Sequence, residues 1–554
     1  MVKIVFSFIL LISVLNATQW DKLLHYNNKK NGISSSEFFL SNKSNPSPKE
    51  ELKATISLLN SKDGNVIACN FPARYEYLKS KDYNIPNFNL DECKELNIFM
   101  DSFAKDKVSL VFTSEYVNSP ASAFGHTMIL FSNDNESINI GDAVHYAAKT
   151  PKEGFFKYAY KGSTGKYDGY FIREPFYKKI YEYNTLEQRY MYLYTLDFTK
   201  EQIEMLQYHL FELRKATFKY YFMDENCASQ TTDLLNVVTF NIRKDKNYYL
   251  PIDTIRSYEN NVIKKQKFTP LVNKLNLLLE KMTNEELILF NNTIKSNIQV
   301  SNTYPDIVKE AMVYYSTFYF RRFHRVFKNY DSAMNQVYKQ DNIKDNSLNP
   351  LDKSRPSNID IGVYLQNNKN YLYMHYRPLF IDEYDLQFNN IQQSTVDTFA
   401  WDLIIRENNI KLNKFSFVNL KSFTEQSVFY KPSSWALYSG LNRDNRDNKL
   451  VFNNELGVGK TIAINSNSST NLLFYLGVDN NKVYIKPYIG FNKYLSKNIK
   501  ISNSTYYKKY DGDSYLENKF FITYKYRKLQ YTIENINTNI KENDSIRFSV
   551  KYNF

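Results

Sequence analysis

Past its first fifteen residues the chain has no apolar run long enough to cross about 30 Å of hydrocarbon as a helix. If a bilayer holds this protein, strands must do it. Histidine is scarce, six residues without paired metal-ligand spacing, so no zinc site, other metal or cofactor is expected. No Gly-x-Ser-x-Gly elbow occurs, which argues against a serine hydrolase of that type. Gly457-Val458-Gly459-Lys460-Thr461 resembles a phosphate loop, but Asn454 stands where its first glycine is required. The net charge of +13 is spread along the chain without a long basic block. No nucleic-acid partner is read from it, only mild attraction to anionic surfaces.

Met1-Val2-Lys3 and the apolar stretch Ile4 to Leu15, ending near Ala17, read as a signal peptide of about a dozen apolar residues. No cysteine follows it, so this signal does not make the protein a lipoprotein. Export places the three cysteines in an oxidising compartment. An odd count there implies one pair and one thiol. Cys69 and Cys93 are close in sequence, and their expected disulfide closes a loop of about 25 residues, worth roughly 3 kcal/mol. Cys227 is left as the thiol that needs an explanation.

With 554 residues and 43% hydrophobic content, the chain can build two or three cores. The expected class is α+β, in five segments: signal peptide 1–17, N-terminal disulfide module 18–106, a cysteine/histidine domain 107–262, a helical connector 263–346 and a β-rich region 347–554. Val108 to Thr113 and His126 to Phe131 read as strands, with a return strand in Ser137 to Ala147. A hairpin centred near Asp134 would set Asp142 opposite His126. Helical periodicity is read from near Leu186, with capping boxes at Thr199/Gln202 and Thr283/Glu286. Asn226 reads as an N-cap and Cys227 as the first helical residue. The basic run Arg321 to Arg325 reads as a solvated face.

Beyond Ser347 the apolar period changes to two, and roughly ten to twelve strands fit. In the last, Ile546, Phe548, Val550, Tyr552 and the terminal Phe554 share one face, while Ser545, Arg547, Ser549, Lys551 and Asn553 share the other. An alternating strand ending in an aromatic residue resembles the closing strand of a bacterial outer-membrane barrel. The alternative is a soluble periplasmic β-sandwich, which sparse glycine and several strands polar on both faces would suit.

Chemistry is expected at Cys227 and His126. A thiol becomes a nucleophile as the thiolate, which a base and the first turn of a helix favour. Backbone donors there could stabilise an oxyanion. His126 follows Gly125 at a strand start and is the base candidate, with Asp142 to orient its ring. Ser122, Gly125 and Asn226 are candidates for the substrate loop and oxyanion stabilisation. His145 competes with Asp142 for the third role. Asp224 and Glu225 would oppose thiolate formation unless they point away or pair. The plain alternative is that Cys227 is a small buried hydrophobe.

Ser119-Pro120-Ala121-Ser122-Ala123-Phe124-Gly125-His126-Thr127, then Lys161 to Gly169, then Asn226-Cys227-Ala228 resemble the Lnb-type, lipoprotein N-acyltransferase-like family of envelope proteins. Cys69-x-Phe-Pro-Ala-Arg74 is similar to the module that often precedes that domain. The resemblance implies a permuted papain-like, NlpC-like fold in which His precedes Cys, with Cys227 as acyl-accepting nucleophile and His126 as base. It suggests acyl transfer on lipoproteins. One departure is His145, where relatives tend to show Asn. Another is that the acyltransferase member is a membrane-helix protein, whereas this chain ends in strands.

The expected protein is thus a thiol-dependent acyltransferase or hydrolase of a Gram-negative outer membrane, its cysteine domain facing the periplasm. Its expected partners are outer-membrane lipid and a lipoprotein or peptidoglycan substrate. A channel or scaffold whose periplasmic domain binds without turnover is the alternative, and a cell-wall peptide hydrolase a further one.

Overall fold

Ser47-Pro48-x-Glu50 is a complete capping box, and in the computed structural model it starts helix α1, Pro48–Leu59. The structure describes residues 18–27, 30–41, 43, 45–118, 122–151, 153–239, 248–296, 300–301, 303–324, 345–388, 392–427, 429–444, 449–480 and 482–554. The expected signal peptide, Ser119 to Ala121 of the histidine motif and Arg325 of the basic run lie outside these residues. The chain divides into two compact units. One comprises residues up to Phe112, Thr127–Lys178 and Leu193–Lys265; the other comprises Thr113–His126, Lys179–Tyr192 and Gln266–Phe554.

In the first unit the expected disulfide joins Cys69 to Cys93, with Cα atoms 5.4 Å apart. Arg74, on helix α2 (Pro72–Ser80), is fully buried. Its guanidinium donates to Glu51 at 2.8 Å and to the Phe38 carbonyl at 2.8 Å, and its Nε lies 3.3 Å from Glu212. The N-terminal module and the cysteine domain therefore share one core.

A second buried pair is formed by His25 and His209, whose Nε2 atoms are 3.1 Å apart. Burial, and then the neighbouring His209, hold His25 well below its ordinary pKa of 6.5. The unfolded chain thus binds a proton below pH 6.5 that the folded chain refuses. The stability this group contributes is complete above 6.5 and is lost as pH falls through that value, at up to about 1.4 kcal/mol per pH unit. Thermal midpoints of the full chain between pH 7.5 and 5 are expected to fall. A His25→Gln variant should show a flatter dependence, and equal slopes would remove His25 as the cause.

Seven strands form the sheet of this unit: β1 (Lys107–Thr113), β2 (His126–Ser132), β3 (Asp142–Ala148), β4 (Tyr167–Pro175), β5 (Met191–Leu196), β6 (Phe218–Tyr220) and β7 (Val262–Phe268). Their order is β6-β4-β3-β2-β1-β5-β7. Helix α3, Lys200–Glu212, begins at the expected Thr199/Gln202 box. The helical reading from Leu186 is corrected. Ile180–Leu186 is a π-helical turn, and Met191–Leu196 is a strand in which every residue is buried. A strand covered on both faces loses its period of two, so its apolar run reads equally well as helix.

The hairpin register is corrected too. Asp142 faces Phe131, not His126. The connection is longer than a tight turn about Asp134 because a 3₁₀ turn, Ile138–Ile140, is inserted before β3. The Asp142 carboxylate instead takes Arg173 Nε at 2.8 Å and the Ala104 amide at 2.9 Å.

The described residues of the second unit hold a connector with three helices and a barrel. Helices α4 (Leu271–Leu279), α5 (Asn284–Ser296) and α6 (Asp306–Phe323) pack through Leu275, Leu278, Phe290, Val308 and Tyr315. The Thr283/Glu286 box is formed, with Thr283 N donating to Glu286 at 2.8 Å. No described helix is long and apolar enough to cross a membrane.

The barrel strands are β8 (Asn358–Gln366), β9 (Lys369–Arg377), β10 (Leu379–Ile381), β11 (Gln392–Thr398), β12 (Ala400–Arg406), β13 (Asn409–Gln426), β14 (Ser434–Arg443), β15 (Leu450–Asn465), β16 (Ser468–Asp479), β17 (Lys482–Ser496), β18 (Ile499–Lys509), β19 (Ser514–Tyr526), β20 (Leu529–Thr538) and β21 (Ser545–Asn553). Apart from the short β10 and β11, twelve of them close an antiparallel ring in the order β8-β9-β12-β13 and onward to β21, which pairs back onto β8 with Asn358 opposite Asn553. Closure leaves no open edge among these twelve strands.

Burial on β21 inverts that of a soluble sheet. Ile546, Phe548, Val550 and Tyr552 are between 41% and 48% exposed, while Arg547, Ser549 and Lys551 are at most 5% exposed. The apolar residues face outward and the charges face the lumen, as a barrel in lipid requires.

Candidate functional site

Asn226 sets the cysteine. Its Oδ1 accepts from the amides of Ala228 at 2.9 Å and Ser229 at 3.3 Å, which makes it the N-cap of the helix Cys227–Thr239. Its Nδ2 donates to the carbonyls of Phe222 at 3.1 Å and Tyr249 at 2.7 Å. Every polar atom of this side chain is engaged in holding the loop, so Asn226 positions the cysteine and has no amide proton left for an oxyanion.

Cys227 is the first residue of that helix, outside any disulfide and buried at 3% exposure. Two tyrosines stand beside it. The Tyr220 hydroxyl faces the Cys227 backbone amide. Tyr146, on β3, stacks on Tyr220 with ring centroids 5.4 Å apart and planes at 8°. Both hydroxyls are pushed well above their ordinary pKa, chiefly by burial and then by nearby negative charge, which includes Cys227 in each case. They are neutral donors at any physiological pH. The Tyr146 hydroxyl is buried without a hydrogen-bond partner among the described residues. Glu225 accepts from Gln230 Nε2 at 2.6 Å, and its charge acts on the Tyr146 hydroxyl as well.

The motif Lys161 to Gly169 makes room for these rings. A Cβ on Gly169 would lie 2.1 Å from the Tyr146 hydroxyl, and one on Gly165, whose φ is +66°, would lie 2.2 Å from the Tyr221 ring. His145 lies on the other side of its strand from Tyr146, with Nε2 3.3 Å from Glu174.

The histidine half belongs to the second unit. His126 follows Gly125, whose φ of +95° turns the chain into β2, and both the Gly125 and the Tyr116 amides donate to the Ser122 carbonyl. The His126 ring lies 5.8 Å from the ring of Tyr183, and the Arg189 guanidinium sits 4.8 Å over that same ring. Arg189, fully buried, donates to the Ser114 carbonyl at 2.6 Å and to Thr113 Oγ1 at 3.0 Å, and pairs with Glu187 at 2.8 Å. This loop is seated on the barrel end. Phe124 packs edge-on to Phe380 at 5.2 Å, and Glu115 pairs with Lys353 at 3.0 Å.

Sequence reading singled out Cys227, His126 and the glycine motif but missed Tyr146, Tyr220, Tyr183 and Arg189. In a chain with 47 tyrosines nothing local marks these as special. Among the described residues no three His, Cys, Asp or Glu side chains converge as a metal site would need.

Residues 95–261 match the family model described as the Lnb N-terminal periplasmic domain. Residues 13–81 and 348–554 match two models described as domains of unknown function, DUF7843 and DUF7840. No curated protein matches the chain. Among solved structures, KdgM porin is similar over 36% of this chain and 99% of its own, at 13% identity and a TM-score of 0.25. An outer membrane channel from Pseudomonas putida F1 is similar over 39% of this chain and 100% of its own, at 10% identity and a TM-score of 0.23. The outward apolar wall and the periplasmic-domain match identify an outer-membrane protein with a periplasmic domain.

Proposed function

We propose that the protein is an envelope acyltransferase working through a thioester on Cys227. The observation that carries this reading is a thiol at the capped first turn of a helix, inside the region that matches the Lnb periplasmic domain. The helix terminus favours the thiolate. In the proposed reaction His126 accepts the Cys227 proton, and sulfur attacks the carbonyl of an acyl ester. The C–O bond breaks, and the leaving alkoxide takes the proton from His126. An acceptor amine then attacks the thioester, the C–S bond breaks, and the amine proton returns through His126 to the thiol. Tyr146 is the proposed donor to the oxyanion, because its hydroxyl is buried, neutral and uncommitted. Lipoprotein acyl groups are the proposed substrate, in a permuted papain-like arrangement, with outer-membrane lipid as the proposed acyl source. Cell-wall peptides are the competing substrate.

The test compares cells carrying the wild type, Cys227→Ala and His126→Ala by mass spectrometry of lipoproteins and of cell-wall peptides. Loss of lipoprotein acylation in both variants is expected. A change confined to the peptides would reassign the substrate, and unchanged profiles in both would end the thiol reading.

The 3% exposure of Cys227 favours a second reading, a scaffold without turnover. A thiol-reactive probe on the folded full chain separates the two. A Cys227 that reacts no faster than a model thiol at neutral pH supports the scaffold.

A further inference from the structure

Between β10 and β11 the chain leaves the barrel wall, and the residues from Asp382 to Phe388 turn into the lumen. Glu383 fixes their position. Its carboxylate bonds both Lys421, on β13 at 3.1 Å, and Lys519, on β19. In the twelve-strand ring β13 and β19 stand half a circumference apart. A single carboxylate can reach lysines from opposite walls only from near the barrel axis.

The neighbouring residues complete the crossing. Asp382 takes Lys551 of β21 at 2.7 Å and Arg377 of β9 at 2.7 Å. Tyr384 donates to Glu534 of β20 and packs on Phe521 of β19 at 4.8 Å. The Glu383 carbonyl accepts from Lys500 of β18 at 2.6 Å, and the Gln387 amide donates to the Tyr494 hydroxyl of β17 at 3.3 Å. One short segment thus touches seven of the twelve strands, and Asp382, Asp385 and Gln387 are at most 5% exposed. Within the barrel lies a cavity of about 390 Å³ lined by Gln366, Asn442 and Asn543 near strand ends and by Glu383 and Tyr384 of this segment.

We infer that the segment Asp382–Phe388 is a plug, and that the barrel anchors the protein without conducting, its lumen ending blind on Glu383 and Tyr384. Seven charged or hydrogen-bonding wall residues grip the plug, and charged groups held in a low-dielectric lumen strengthen one another's contacts. This inference is independent of the thiol chemistry and bears against an open channel.

Full-length protein, its folding checked by heat-modifiable gel migration, is inserted into planar bilayers. The wild type is expected to show only baseline leak. A variant in which Asp382–Gln387 is replaced by a glycine-serine bridge should show resolvable unitary steps. If that variant does not fold, Glu383→Gln combined with Tyr384→Phe keeps the chain length and should give intermittent openings. Steady conductance in the wild type, or a folded variant of either kind that stays at baseline, overturns the plug.

Discussion

Replacing Arg74 by methionine is expected to destabilise the first unit by about 3–5 kcal/mol, the cost of removing one partner from a buried charge cluster. Arg74, Glu51 and Glu212 have fully buried side chains. Glu51 also accepts the Leu40 and Ser41 amides, at 2.8 and 3.0 Å, and Glu212 accepts the Arg74 amide at 2.9 Å. Without the guanidinium, two carboxylates would remain out of water with no cation between them. The ring faces of Phe38 and Phe71, 4.2 and 4.5 Å from the Arg74 carbon, would lose their cation as well. Arg74→Lys should recover only part of the loss, since an ammonium cannot serve Glu51, Glu212 and the Phe38 carbonyl as a planar fork does. Limited proteolysis and thermal unfolding of the full chain measure the effect. A variant combining Arg74→Met with Glu51→Gln and Glu212→Gln should be more stable than Arg74→Met alone. If it is not, the penalty does not come from the stranded charges.

Placing arginine at Phe548 should cost about 2–4 kcal/mol of barrel stability in lipid vesicles, the range for a cation on the lipid face near mid-bilayer. Phe548 is 48% exposed and lies between Val363 of β8 and Ile533 of β20, which are exposed to a similar degree. The three make one apolar band across adjacent strands. Phe548→Leu keeps the band apolar and should be close to neutral. Urea titrations of the folded protein in vesicles, read by heat-modifiable migration, give the difference. A soluble sandwich would accept the arginine at an exposed position with little change. Equal midpoints for Phe548→Arg and Phe548→Leu would therefore contradict a lipid-facing wall.

How much of this could be seen beforehand depends on the range of the interaction. The N-cap at Asn226 and the boxes at Thr199 and Thr283 were legible because each is settled within four residues. The alternation of β21 was legible because the barrel places lipid on one side and charge on the other at every step. Asp142 failed as a partner of His126 because register depends on loop length, and a 3₁₀ turn inserted before β3 moved it. The buried strand Met191–Leu196 failed because burial on both faces erases its period.

The sequence by itself determined the pairing of Cys69 with Cys93, the thiol at a helix start and the two faces of the barrel strands. These rest on local periods, caps and a count of three cysteines. Only the tertiary structure decided that Tyr146 and Tyr220 flank Cys227, that Arg189 and Tyr183 support the His126 loop, and that Glu383 lies across the barrel axis. Each of those contacts joins residues brought together by strand order and ring closure, and no local pattern of side chains encodes a distance across a sheet or a lumen.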